Sequence, residues 1–144
     1  MSGKKNIPDG ALLATGSLTG TLTDLTTDTT YPISATHFYR QPGAKMIGIV
    51  GKNPENDDSI YIYQMSLFFN EDEPPTQTYN VGDSSWRGSE LYFDPTELQF
   101  VATKGQLILR NFQAVKVIEG EVDFIYSEFS GEKYHIEAKF DVRG

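Results

Sequence analysis

Tyr134-His135-Ile136-Glu137-Ala138-Lys139-Phe140-Asp141-Val142 alternates apolar and polar residues almost without a break. Tyr134, Ile136, Ala138, Phe140 and Val142 share one face, and His135, Glu137, Lys139 and Asp141 share the other. Successive side chains of a strand point to opposite faces, so this period of two predicts a strand with one buried and one wet side. Residues 118–126 repeat the pattern, with Ile118, Gly120, Val122, Phe124 and Tyr126 inward and Glu119, Glu121 and Asp123 outward. A three-residue turn, Phe129-Ser130-Gly131, joins the two segments into a hairpin and puts Gly131 where the backbone needs a positive φ. In that register Phe124 faces Ile136, Phe140 lies over Gly120, Glu121 is beside Lys139 and Asp123 is beside Glu137. A two-residue slip would instead pair Asp123 with Lys139 and Glu119 with Arg143. An exposed cross-strand charge pair is worth about 0.2–1 kcal/mol. A non-glycine residue in the left-handed position costs about 1–2 kcal/mol, which favours the glycine turn. Both registers keep the same inner face.

Upstream segments carry the same signature. Asp58 to Phe69 is a long strand with Tyr61, Tyr63, Met65, Leu67 and Phe69 on one face. Lys45 to Gly51 is its expected hairpin partner, across the turn-forming cluster Lys52 to Asp57. Residues 15–23 read as a strand with Leu18 and Leu22 inward. Residues 31–40 read as another, with Ile33, Ala35 and His37 against Ser34, Thr36 and Phe38. Residues 77–81, 90–93, 97–103 and 106–112 complete the set, with Lys104-Gly105 as a turn between the last two. No window sustains a helical period; one helical turn is expected near Asp94-Pro95-Thr96-Glu97-Leu98, where Asp94 would cap and Pro95 would start it. The expected fold is all-β: a single-domain antiparallel β-sandwich or flattened β-barrel of about eight to ten strands, with little or no helix. Residues 1–10 are expected to be a flexible N-terminal segment and 11–144 a single β domain.

The Gly120-x-Val122-x-Phe124 strand, the Gly131 turn and the Tyr134–Val142 strand together resemble the last hairpin of small bacterial β-sandwich proteins, some of them lipoproteins. That resemblance covers residues 118–142 and brings no functional residues with it.

Bulk properties narrow the function classes. The 144 residues carry a net charge of −8 and no cysteine. Disulfides and thiolate metal sites are therefore excluded. An acidic surface repels phosphate backbones, and the twelve Lys and Arg are scattered, so no nucleic-acid partner is expected. No stretch approaches the roughly 18 apolar residues of a membrane span. The chain reads as cytosolic, or as a mature form whose export signal has been removed.

Five features of the sequence bear on chemistry. His37 and His135 lie in strands and match no His-x-His, His-x-x-x-His or Gly-x-Ser-x-Gly pattern, so both are expected to be structural or surface residues. The acidic loops, residues 53–58 and 70–73, lack calcium-loop spacing; the first is the better calcium candidate. The loop from Asn80 to Tyr92 holds the single tryptophan of the chain. Asp83, Trp86, Arg87 and Tyr92 there combine an aromatic face with hydrogen-bonding groups, which suits a sugar ligand. Its rival reading is that Trp86 folds back to plug one end of the domain. Nine threonines between Thr15 and Thr36 read as β-propensity on a solvent face. The outward carboxylates Glu119, Glu121, Asp123, Glu137 and Asp141 lie within the 5–9.5 Å reach of a glycosidase pair. On a flat sheet face, however, they have no cleft to work in, and solubility is the simpler role.

The expected function is a non-enzymatic binding or interaction module for a carbohydrate or a protein, with no cofactor. Homo-oligomers could form through a strand edge. The alternative is a small barrel enzyme, or a lipid or small-molecule carrier, with an interior site near His37, Tyr61 and Tyr63.

Overall fold

The computed structural model describes residues 12–41, 43, 45–51, 61–94, 99–128 and 131–143. The N-terminal segment, the acidic loop 53–58 and the expected helical turn at 95–98 lie outside the described residues. Nine strands are present among the described residues: β1 (Leu12–Asp24), β2 (Thr29–Gln41), β3 (Met46–Gly51), β4 (Tyr61–Phe69), β5 (Gln77–Asn80), β6 (Trp86–Asp94), β7 (Gln99–Phe112), β8 (Val117–Ser127) and β9 (Lys133–Arg143). A short 3-10 turn, Gln113–Val115, joins β7 to β8.

Each strand pairs antiparallel with its neighbour, and β7 pairs with β8 to close the ring β1-β2-β3-β4-β6-β7-β8-β9. The fold is a closed eight-stranded antiparallel barrel, with β5 added as a ninth strand on the outer half of one β7 edge. Closure decides between the two architectures that alternation alone leaves open, and it satisfies the backbone groups that an open sheet edge would expose.

The C-terminal hairpin takes the glycine-turn register. Glu121 faces Lys139, Asp123 faces Glu137, Phe124 faces Ile136 and Gly120 faces Phe140. Gly131 has φ +103°, its N–H donates to the Glu128 carbonyl at 2.9 Å, and Glu128 N–H donates to the Glu132 carbonyl at 3.0 Å. The absent side chain of Gly120 leaves room for the Phe140 ring, which a Cβ there would meet at 2.4 Å.

Two expected features change. Residues 97–103 and 106–112 are not two strands around a turn: β7 runs through Lys104-Gly105. A bulge between Ala102 and Lys104 and a φ of +117° at Gly105 bend it instead. A bulge absorbs one extra residue and increases local twist. Beyond the bend, β7 leaves β6, to which it pairs at Gln99–Val101, and takes β5 at Gln106–Leu109. The second change is in β2. A bulge between Ala35 and His37 shifts the alternation by one residue. Ile33, Ala35 and Phe38 are therefore buried, while His37 is exposed and Phe38 packs on Phe140 with ring centroids 6.5 Å apart.

Apolar side chains fill the interior: Leu18, Leu22, Phe38, Ile47, Ile49, Met65, Leu67, Phe69, Leu91, Phe100, Leu107, Leu109, Phe124 and Ile136 are each at most 1% exposed. A buried hydrogen bond of 2.6 Å joins Ser89 Oγ and Tyr126 OH, so the polar atoms facing the core are satisfied. The outward positions of β8 and β9 carry Glu119, Glu121, Asp123, Glu137, Lys139 and Asp141. Apolar inside and charged outside is the reverse of a bilayer-spanning barrel. No helix among the described residues is long and apolar enough to cross a membrane.

The bend makes a specific demand. A Cβ on Gly105 would sit 1.9 Å from the Asp123 carbonyl oxygen and would also have to adopt a strained φ. Gly105→Ala is expected to lower stability by about 2–3 kcal/mol or more. Gly82→Ala, with φ +97° and nothing within 4 Å, carries only the conformational strain and should cost about 1 kcal/mol. Denaturant midpoints of the two variants check the difference.

Candidate functional sites at the barrel mouth and on the outer face

Trp86 begins β6 and turns inward, leaving its indole 4% exposed. One ring face stacks on Phe124, with centroids 5.6 Å apart and planes 17° apart, and Phe69 and Tyr79 lie at 6.1 and 5.8 Å. Its Nε1–H donates to the Asn80 carbonyl at 2.9 Å. Trp86 therefore plugs the seam where β7 parts from β6 and accepts β5. An indole that buries about 150–250 Å² and still finds a hydrogen-bond acceptor gains more in the core than on a loop surface.

The four residues expected to form a sugar site are not brought together. Asp83 and Arg87 are exposed, Trp86 is internal, and Tyr92 is half-buried on the outer face six residues along β6. At about 3.3 Å per residue that is roughly 20 Å from Trp86. His37 is exposed, with Nδ1 3.2 Å from Thr36 Oγ1, and faces away from the core.

The structure forms two other concavities. The first, about 390 Å³, lies at one mouth of the barrel and is lined by Leu12, Arg40, Gln41, Met46, Asp72, Glu73, Gln113, Lys116 and Ile118. Residues 70–76 cross this mouth as a strap. On one side Arg40 Nη2 donates to the Asp72 carbonyl at 2.6 Å and lies 3.6 Å from Glu73, while Gly43 N–H donates to Asp72 Oδ1 at 3.1 Å. On the other side Asn111 Nδ2 donates to Glu73 Oε1 at 3.2 Å and to the Pro74 carbonyl at 2.9 Å, and its N–H donates to Thr76 Oγ1 at 2.8 Å. Tyr79 OH donates to the Pro75 carbonyl at 2.8 Å from within the core. The second acidic loop is thus a structural latch, with the Asp72 and Glu73 carboxylates engaged by Gly43, Arg40 and Asn111. Lys116, on the opposite lip, holds φ +58° and ψ +46°, a left-handed conformation unusual for lysine.

The second concavity, about 410 Å³, is a groove on the outer face of β7, β8, β9 and β1. Its walls include Thr19, Gln106, Glu121, Asp123, Glu137 and Lys139. At its margin Asp123, His135 and Glu137 bring one donor atom each to within 4.8 Å of one another. His135 Nε2 lies 2.7 Å from Asp123 Oδ1. The neighbouring Glu119 and Glu121 are engaged by Arg110, at 3.2 and 3.4 Å. Sequence reasoning placed all three cluster residues on the wet face and gave the register that sets Asp123 beside Glu137. It missed the cluster because His135 was weighed alone, apart from the carboxylates. His135 and Glu137, two apart on β9 and diagonal or opposite to Asp123, are the signal that could have found it.

Comparison with protein families, with curated proteins and with solved structures finds no match to this chain.

The tyrosines around the core link stability to alkaline pH. Burial pushes the Tyr79 hydroxyl up to about 12, aided by the nearby charge of Glu71. Burial, with Asp24 and Glu132 close by, pushes Tyr134 up to about 12 as well. Burial also raises Tyr126, outweighing its hydrogen bond to Ser89. Each group keeps its proton more tightly when folded than a free phenol, whose ordinary value is 10.0. The stabilisation is therefore complete below pH 10 and is lost as pH rises towards 12. Thermal midpoints should hold up to about pH 10 and then fall through that window, while near-ultraviolet phenolate absorbance rises.

Proposed function

We propose that this protein is a non-enzymatic binding module whose ligand sits at the barrel mouth, and that the ligand is a small polyhydroxylated molecule such as a carbohydrate. The observation that carries the proposal is the mouth cavity itself. Its volume, about 390 Å³, falls in the range of small-molecule sites, which favour barrel mouths. Leu12, Met46 and Ile118 offer an apolar wall, and Gln41, Gln113 and Lys116 offer donors and acceptors around it. That combination matches the two sides of a sugar ring, an apolar face and a rim of hydroxyls.

The carrier or enzyme alternative, with its site inside the barrel near His37, has less support. The described interior is packed with side chains, and His37 is exposed. A protein partner is the second reading, favoured by the apolar residues Leu12, Leu13, Phe112 and Val115, which stand 47–71% exposed around the same end.

A glycan array followed by calorimetric titration tests the proposal. Binding should weaken at least about fivefold in Lys116→Ala and Gln113→Ala, because a hydrogen bond to a ligand hydroxyl is worth about 1–3 kcal/mol. Both variants should keep the wild-type unfolding midpoint within about 0.5 kcal/mol, since neither residue is buried. Absence of any glycan ligand, or binding that both variants leave unchanged, would sink the mouth assignment.

A further inference from the structure

The carboxylates of Asp123 and Glu137 face each other directly across β8 and β9, a like-charge juxtaposition that destabilises a strand pair. The ion pairs near them serve other groups: Arg110 holds Glu119 and Glu121. Among the described residues no ion pair reaches Glu137, and Asp123 has only the His135 imidazole. A cation shared by the two carboxylates would turn the repulsion into attraction, and the imidazole beside them is a metal-ligand side chain.

We propose that Asp123, His135 and Glu137 form a binding site for a divalent transition-metal ion such as zinc, open on the side of the outer groove. Three features support the assignment together. First, the donors are of mixed type, one imidazole nitrogen and two carboxylate oxygens, a set that suits first-row divalent ions rather than the all-oxygen shells of calcium or magnesium. Second, the donor atoms already lie within 4.8 Å of one another, with His135 Nε2 and Asp123 Oδ1 at 2.7 Å. Metal–ligand bonds of about 2.0–2.2 Å bring donors to roughly 3–3.5 Å apart, so the exposed Glu137 side chain has to close in and the 2.7 Å contact between His135 and Asp123 has to open slightly. Third, the backbone fixes the positions before any ion arrives. His135 and Glu137 are two residues apart on one face of β9, Asp123 is pinned opposite by the hairpin register, and the His135 side chain is 28% exposed against 57% for Asp123. The ion takes the place of the proton between Nε2 and Oδ1, and the neutral imidazole then carries its proton on Nδ1. Asp123 and Glu137 also border the 410 Å³ groove, which leaves space for water or an external ligand at the remaining coordination positions. This site is separate from the mouth cavity and does not depend on the function proposed there.

The sequence makes the test clean, because it holds no cysteine and two histidines. Calorimetric titration of the untagged protein with zinc chloride should show one saturable site. The His135 ring signals should shift in proton–nitrogen spectra while those of His37 stay in place. His135→Ala and Glu137→Gln should each weaken binding at least about tenfold, and Glu119→Gln, held by Arg110, should leave it unchanged. All three positions are at least partly exposed, and cooperative unfolding would establish that the variants fold, with the Glu137→Gln midpoint at or above wild type because the repulsion from Asp123 is relieved. Absence of saturable uptake at millimolar zinc, uptake that survives His135→Ala, or a shift of His37 in place of His135 would each overturn the assignment.

Discussion

The backbone hydrogen bonds of Glu128 to Glu132 and of Gly131 to Glu128, with Gly131 at φ +103°, set the register of the β8–β9 hairpin. The rest of the structure leans on that register. Side chains alternate with a period of two, so a two-residue slip would keep the same residues facing inward but change which ones meet. It slides the Phe140 ring over Gly120 and puts Phe124 level with Ile136. Phe124 is then in place to stack on Trp86, and Trp86 seals the seam where β7 changes partner from β6 to β5. On the outer face the same register aligns Asp123 with Glu137 and brings His135 to its hydrogen bond.

The inside and the outside of the barrel thus have different tasks. Closing eight strands leaves an interior just wide enough for side chains to fill. Here Phe38, Phe69, Tyr79, Trp86, Phe100, Phe124 and Tyr126 fill it. Such a filled barrel is a rigid support, and the concavities among the described residues lie at its mouth and on its outer surface. The strap of residues 70–76 shows how the mouth is held: one guanidinium, one asparagine amide and one tyrosine hydroxyl tie it to three different strands. A cavity with fixed walls costs its ligand little reorganisation, which favours binding.

Much of the fold was legible in the sequence because period-two patterning is a local signal. The inner faces of β8 and β9, the burial of Leu18 and Leu22, the pairing of β3 with β4 and the glycine turn were all readable from the residues themselves. What escaped was whatever inserts one residue into that period. The bulge after Ala35 moved His37 to the exposed side and Phe38 into the core. The bulge before Lys104-Gly105 let β7 continue through a pair that reads as a turn. The sites were less legible, for a different reason. The mouth cavity is assembled from β1, β2, β3, the strap, the 3-10 turn and β8, segments as far apart as Leu12 and Ile118, and no local pattern encodes their meeting. Trp86 drew attention by its chemistry, but the large apolar surface that made it conspicuous is also what buries it.

Cross-strand nuclear Overhauser contacts along β8 and β9 test the central claim most directly, since backbone protons of facing residues are close only in one register. The glycine-turn register gives contacts between Asp123 and Glu137 and between Val122 and Ala138, with Glu121 level with Lys139. Contacts between Asp123 and Lys139, the mark of a two-residue slip, would contradict it, and with it the packing of Phe140 on Gly120 and the cluster at His135.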